Sequence, residues 1–263
     1  VPRRLSCLVV ALVLAAAGCG GSGDAGEAAP EPAGHEDSPA HWDYADPAAW
    51  GELDPAYAAC ASGRAQSPVD LTGTEPVTLP DPALDYPASA VEVLDNGHTY
   101  QVTPMADGAA TMRFEGRTWQ LLQWHVHTPS EHLVDGEPAA AEIHLVHQEA
   151  GGDLAVLGVL VEEGAASAAV QPVLDALPTA EGDTSSVTDP VRLRGLLPRA
   201  LGTVRYAGSL TTPPCTEGVR WLVATEPVTW SAQQVAAVTD RFAGNARPAQ
   251  PGNGRSLEHD HAG

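Results

Sequence analysis

The sequence predicts a mainly β fold, a single domain around a large, mostly antiparallel, twisted central sheet with a few short helices. Three observations predict it. Short runs of β-branched and apolar residues recur between Gly, Pro, Asp and Asn, segments of helical period are few, and no internal repeat interrupts the pattern. Once an N-terminal leader and linker are set aside, about 220 residues remain, enough for one sizeable core.

Residues 1–18 carry Arg3 and Arg4 near their start, followed by an apolar stretch from Leu5 to Ala17. That stretch is too short to cross a ~30 Å hydrocarbon core, so it reads as an export signal. Its end, Ala16-Ala17-Gly18-Cys19, has the form of a bacterial lipobox, which makes Cys19 the expected site of lipidation and of membrane attachment. Ordinary cleavage at the same small residues, without lipid, also fits. Residues 19–40 are rich in Gly, Ala, Pro and acids and read as a flexible linker. The folded domain is expected over 41–252, starting where aromatics first appear at His41-Trp42-Asp43-Tyr44. Residues 253–263 read as a polar tail, with His259 and His261 as tail residues and not ligands.

Strands are expected at Val91–Leu94, Thr99–Thr103, Thr111–Phe114, Thr118–Val126, Glu142–His147, Ala155–Val161, Val204–Ala207 and Val219–Ala224. Helices are expected at Ala168–Ala176 and Ser231–Phe242, the second with Ser231 as N-cap. The chain has 13 Arg, no Lys and 34 acidic residues, a formal net charge of −21, so it repels phosphate backbones and anionic lipid. This excludes nucleic acid as a partner and implies a well-solvated surface. Oligomeric state is left open. Of four cysteines, Cys7 lies in the leader and Cys19 is the lipidation site, leaving Cys60 and Cys215 as the pair expected to bridge in an oxidising compartment.

Within Gln123-Trp124-His125-Val126-His127, strand alternation sends Gln123, His125 and His127 to one face. In Ala141–His147 it puts Glu142, His144 and Val146 on one face and His147 on the other. If the two strands are neighbours, His144 adds a third imidazole to the pair. Three neutral imidazoles without thiolate form the ligand set of a catalytic zinc, whose fourth position stays open. Spacing alone also fits histidines buried with hydrogen-bond partners.

The segments HWDY at His41, QSPVDL at Gln66, NGH at Asn96, QWHVHTPSEH at Gln123, AEIHLVH at Ala141, LAVLGVLV at Leu154, GSLTTPPCTEGVRWLV at Gly208 and NARPAQP at Asn245 are collinear with those of the alpha-class carbonic anhydrases, which the chain resembles over nearly the whole domain. The resemblance implies the fold of that class and a small-molecule substrate, carbon dioxide or bicarbonate. It implies reversible hydration by a hydroxide held on Zn2+, with His125, His127 and His144 as ligands. It assigns Gln123, Glu142 and a backbone carbonyl near Asn245 to orienting those ligands, and Thr211 with buried Glu131 to aiming the hydroxide. Val146, Val156, Leu210, Thr212, Val219 and Trp221 become the substrate pocket. His98 becomes the proton shuttle, with Tyr44, Asn96 and Gln101 ordering waters on its path. His132 and His147 match buried, structural histidines, His132 bonded to Glu142, and Cys60 and Cys215 match the pair of exported members. Asp95, where Asn is frequent, would bring a charge near His98.

Overall fold

The computed structural model describes residues 40–260, apart from 107 and 109. The leader, the linker up to residue 39, Cys19 and His261 lie outside the described residues. Strands are β1 (Glu75–Val77), β2 (Ala83–Asp85), β3 (Ser89–Asp95), β4 (Tyr100–Pro104), β5 (Thr111–Phe114), β6 (Arg117–His127), β7 (Leu133–Val134), β8 (Glu137–Pro138), β9 (Ala141–Glu149), β10 (Leu154–Glu163), β11 (Thr184–Val191), β12 (Thr203–Ser209), β13 (Glu217–Ala224), β14 (Val228–Trp230) and β15 (Glu258–Asp260). The α-helices are short: α1 (Trp50–Leu53), α2 (Ala59–Ser62), α3 (Gln171–Leu174) and α4 (Ala232–Thr239).

One large sheet runs in the order β1-β15-β12-β13-β10-β9-β6-β4-β3-β11, with β5 joined to β6, β2 to β5 and β14 to β10. Most pairs are antiparallel; β10 runs parallel to β13 and β14, and β1 parallel to β15. The central strands β9 and β10 are buried along most of their length on both faces. That is why their sequences read as nearly continuous apolar runs.

Strand β6 contains the feature on which the site's position depends. Trp119 and Leu121, then Trp124 and Val126, fill one large apolar core. The step of three between Leu121 and Trp124 holds one extra residue, Leu122, where the β6–β9 register shifts. This bulge reverses the alternation, so Gln123, His125 and His127 leave the opposite face. On that face a second apolar cluster forms around Val156, Tyr206, Val219, Trp221 and Val223.

Helices are shorter than expected. Ser231 does cap α4, in a reciprocal box with Gln234. In the expected Ala168–Ala176 helix, Pro172 fits only the first turn, so α3 starts at Gln171. Strands β1, β2 and β11 are mostly exposed and lack clean alternation, which hid them in the sequence, and β15 is only three residues long. The segment expected as a polar tail contributes β15, antiparallel to β12 and parallel to β1. Its register is fixed by polar contacts: buried Asp260 lies 3.5 Å from Arg205 and accepts the Leu79 N–H. The expected disulfide, Cys60–Cys215, is present, with Cα atoms 5.0 Å apart across a separation of 155 residues. In the chain-entropy picture a loop of that size is worth about 5 kcal/mol.

His147 faces the large core, as expected of a structural histidine, with its Nε2 2.5 Å from the Tyr86 hydroxyl and the two rings stacked at 5.9 Å. Burial pushes its pKa down to about 4, against a smaller opposing pull from the Leu145 and Ala155 carbonyls. The unfolded chain binds this proton near 6.5 and the folded chain only near 4, so stability falls as pH drops through that window. The shift corresponds to about 3 kcal/mol. Denaturant unfolding at pH 7 and pH 4 should show His147→Gln losing less stability on acidification than the wild type, by up to that amount; equal losses would contradict the assignment.

Candidate metal centre

The register of β6 against β9 sets His125 opposite His144, His127 opposite Glu142 and Gln123 opposite Val146. Adjacency of the strands thus brings the third imidazole to the pair. One donor atom from each of His125, His127 and His144 lies within 4.8 Å of the others, with ring centroids 4.6–5.3 Å apart. His127 and His144 are buried, while His125 is partly open.

Two of the rings have their other nitrogen hydrogen-bonded, and the third has it beside a carboxylate. His125 Nδ1 donates to Gln123 Oε1 at 2.8 Å, and His127 Nδ1 donates to the Asn245 carbonyl at 2.6 Å. His144 Nε2 lies 3.0 Å from Glu142 Oε1, close in distance although the N–H does not point squarely at the oxygen. The remaining nitrogens, Nε2 of His125 and His127 and Nδ1 of His144, are the ones left to bind. His127 Nε2 is buried without any hydrogen-bond partner, an expensive state unless something else occupies it. Lost solvation lowers the pKa of all three imidazoles, and at His125 the other two rings lower it further. The rings are therefore neutral, as metal ligation requires. Three neutral nitrogens with no thiolate fit zinc with one open coordination position.

His132, Glu142 and His144 also lie close together. Glu142, however, is already committed. Its Oε2 accepts the N–H groups of Glu131 (3.0 Å) and His132 (2.8 Å), and its Oε1 accepts His132 Nδ1 at 2.7 Å, the expected bond. Burial raises its pKa, but His132 and His144 outweigh that and hold it well below the usual carboxylate range. A Cβ on Gly158, opposite His144 on β10, would stand 2.8 Å from Glu142 Oε1, so only glycine leaves room for the carboxylate. His132 Nε2 reaches the Tyr206 hydroxyl at 2.7 Å, which donates to Ser67 Oγ.

The loop after β12 carries Thr211. It is held by Leu210 N–H to Thr216 O, by Cys215 N–H to Thr212 O, by the disulfide, and by Gln66 Nε2 to Cys215 O. Thr211 is buried against Glu131, whose Oε1 accepts the Arg247 N–H at 2.9 Å. Burial pushes the Glu131 pKa up to about 7; His144, the Arg247 N–H and the Thr211 hydroxyl pull the other way. Its Oε2 still lacks a hydrogen bond of full geometry. Val146, Val156, Leu210, Val219 and Trp221 come together in the second apolar cluster, and half-buried Thr212 follows Thr211.

His98 sits on the turn between β3 and β4, half-buried and stacked on Trp42 at 3.8 Å and 8°. Partial burial lowers its pKa, His41 lowers it further, and Glu181 and Asp43 oppose them. The Tyr44 ring lies 6.4 Å from that of His98 and 6.5 Å from that of His127. Asn96 uses its side-chain oxygen on the N–H groups of His98 and Thr99, which shapes the turn; Gln101 is half-buried on β4. Asp95 does not aim its charge at His98: it pairs with Arg241 at 2.8 Å.

Sequence reasoning did not single out Trp42, Tyr206, Ser67, Leu122 or Arg247. Arg247 is 2% exposed, and its guanidinium donates to Gln66 Oε1 and to the Ser67 and Cys60 carbonyls. A signal existed for Leu122, the broken two-residue step through Trp119, Leu121, Trp124 and Val126.

The family model of eukaryotic-type carbonic anhydrase matches residues 45–261, through the segment that forms β15. A carbonic anhydrase of Pectobacterium carotovorum is 37% identical over 223 residues, 83% of this chain and 91% of that protein. One of Neisseria gonorrhoeae is 39% identical over 220 residues, 82% and 86% of the two chains. The alpha-carbonic anhydrase of Thermovibrio ammonificans, solved with the inhibitor sulfanilamide, superposes with a TM-score of 0.80 at 36% identity, covering 83% of this chain and 99% of that one.

Removing the carboxylate beside His144 tests the ligand frame. Glu142→Gln should weaken zinc binding by about 10- to 100-fold in a chelator competition; wild-type affinity would contradict the orienting role.

Proposed function

The chain belongs to the eukaryotic-type, alpha-class carbonic anhydrases and is an enzyme of reversible carbon dioxide hydration with zinc as cofactor, and we propose that His125, His127 and His144 hold the metal, Thr211 and Glu131 set the direction of attack, and His98 carries the proton away. Bound zinc supplies a Lewis-acidic centre that lowers the pKa of water to about 7 and so provides a nucleophile at neutral pH.

The protein's share is orientation, dryness and proton movement. Glu131 cannot turn freely, because the Arg247 N–H fixes Oε1. Its other oxygen accepts the Thr211 hydroxyl proton, which leaves the Thr211 oxygen as acceptor for the attacking group and gives attack one direction. Carbon dioxide is apolar and displaces water only from a greasy surface. Val146, Val156, Leu210, Val219 and Trp221 supply that surface, with Thr212 at its polar edge. His98 accepts the released proton at a ring nitrogen and passes it to solvent from its half-exposed position, with Tyr44, Asn96 and Gln101 lining the way. The observation that carries the reading is the convergence of three imidazoles whose other nitrogens face Gln123, the Asn245 carbonyl and Glu142.

The disulfide fits an oxidising, extracytoplasmic setting. Export by the leader and attachment through lipidated Cys19 complete the proposal, supported by the sequence of residues 1–19.

Stopped-flow carbon dioxide hydration tests the assignment. Activity should vanish on chelation and return with zinc. His98→Ala should lower turnover at low buffer on the order of 10- to 100-fold and be rescued by added imidazole. A rate indifferent to metal rejects the site; unchanged low-buffer turnover in His98→Ala rejects the shuttle.

A further inference from the structure

Asp95 ends β3 with 0% exposure, and an ionised carboxylate is costly to bury unless it is paired and hydrogen-bonded. Both conditions are met. Its Oδ1 accepts the Gly97 N–H at 2.9 Å, and its Oδ2 accepts Arg241 Nε at 2.8 Å. Its backbone is fixed as well, the N–H donating to Asp183 O and the carbonyl accepting from Gly182 N. Gly97 has φ +83° and a Cβ there would meet Glu181, so the turn adopts a backbone that glycine permits and that needs holding from outside.

The same short segment after α4 grips the far side of this turn. Asn245, four residues beyond Arg241, donates from Nδ2 to the His98 carbonyl at 3.0 Å and to the Val126 carbonyl at 3.1 Å. Its own carbonyl accepts His127 Nδ1. Residues 241–245 therefore connect the start of the turn, its histidine and a metal-binding imidazole through direct bonds. The charges acting on the His98 ring come from His41, Glu181 and Asp43, not from Asp95, so the pair acts through position.

We infer that Asp95 and Arg241 are positioning residues for proton transfer: their ion pair, buried on the Asp95 side, clamps the 95–98 turn so that the His98 ring is held against Trp42 at a set distance from the metal-binding imidazoles. This rests on His98 being the proton shuttle.

The test compares Asp95→Asn, which keeps an acceptor for Gly97 and the size of the side chain, with Arg241→Gln, made at a partly exposed side chain. Each should lower kcat at low buffer by about three- to tenfold, a fraction of the contribution of a placed proton-transfer group, and imidazole should restore it. kcat/KM for carbon dioxide should stay within about twofold, because metal and gate are untouched. The upfield ring-current shift of the His98 ring protons over Trp42, read by NMR in the metal-free protein, should move in both variants. Asp95→Asn should add no further loss to His98→Ala. If His98→Ala slows turnover while both variants keep the wild-type kcat and the wild-type NMR shift, the clamp is wrong. If His98→Ala itself changes nothing, the shuttle reading falls and the clamp with it. Should Asp95→Asn fail to fold, Arg241→Gln carries the same decision.

Discussion

The pairing register of β6 with β9 places His125 across from His144 and His127 across from Glu142, and the site is built outward from those two cross-strand pairs. A slip of β6 by one residue would send His125 and His127 into the large core, away from His144. The register itself is set by packing on the other face, where Trp119, Leu121, Trp124 and Val126 interlock with Ile143 and Leu145. The bulge at Leu122 reconciles the two demands: the core keeps its aromatic and aliphatic side chains, and the imidazoles keep their own face.

From those pairs, buried polar groups extend in two directions. One runs from His144 through Glu142 and His132 to Tyr206 and Ser67, reaching the base of the Thr211 loop, where Ser67 accepts the Ser209 N–H. The other runs from His127 to Asn245 and on to the His98 turn. Such networks stiffen a site only when their members are satisfied. Most are satisfied here; among the exceptions, His127 Nε2 and Glu131 Oε2 sit where a metal and the Thr211 hydroxyl would meet them, and His144 Nε2 lies 3.0 Å from Glu142 without full hydrogen-bond geometry. Arg247 joins the two halves by holding Glu131 through its backbone and the Cys60 and Ser67 carbonyls through its side chain.

Much of this was legible in the sequence because it lies in the sheet centre, where burial imposes alternation. The eight strands expected between Val91 and Ala224 were placed within a few residues, and the faces of Gln123, His125, His127, Glu142 and His144 followed from parity alone. What escaped notice belongs to other physics. An edge strand such as β11 buries too little to pattern its residues, and the short β15 is tied in through Asp260 and Arg205, a contact far apart in sequence. The roles of Arg247, Trp42 and Tyr206 likewise depend on partners brought together only by the fold. Asp95 read as a stray charge because Arg241, its partner, lies 146 residues away.

The account centres on three imidazoles closing around one zinc ion and leaving a position free for chemistry. X-ray absorption spectroscopy of the zinc-loaded protein tests that most directly. It should show three imidazole nitrogens and one non-protein oxygen at about 2.0–2.1 Å. A fourth ligand from the protein, whether a carboxylate such as Glu142 or another histidine, would contradict it.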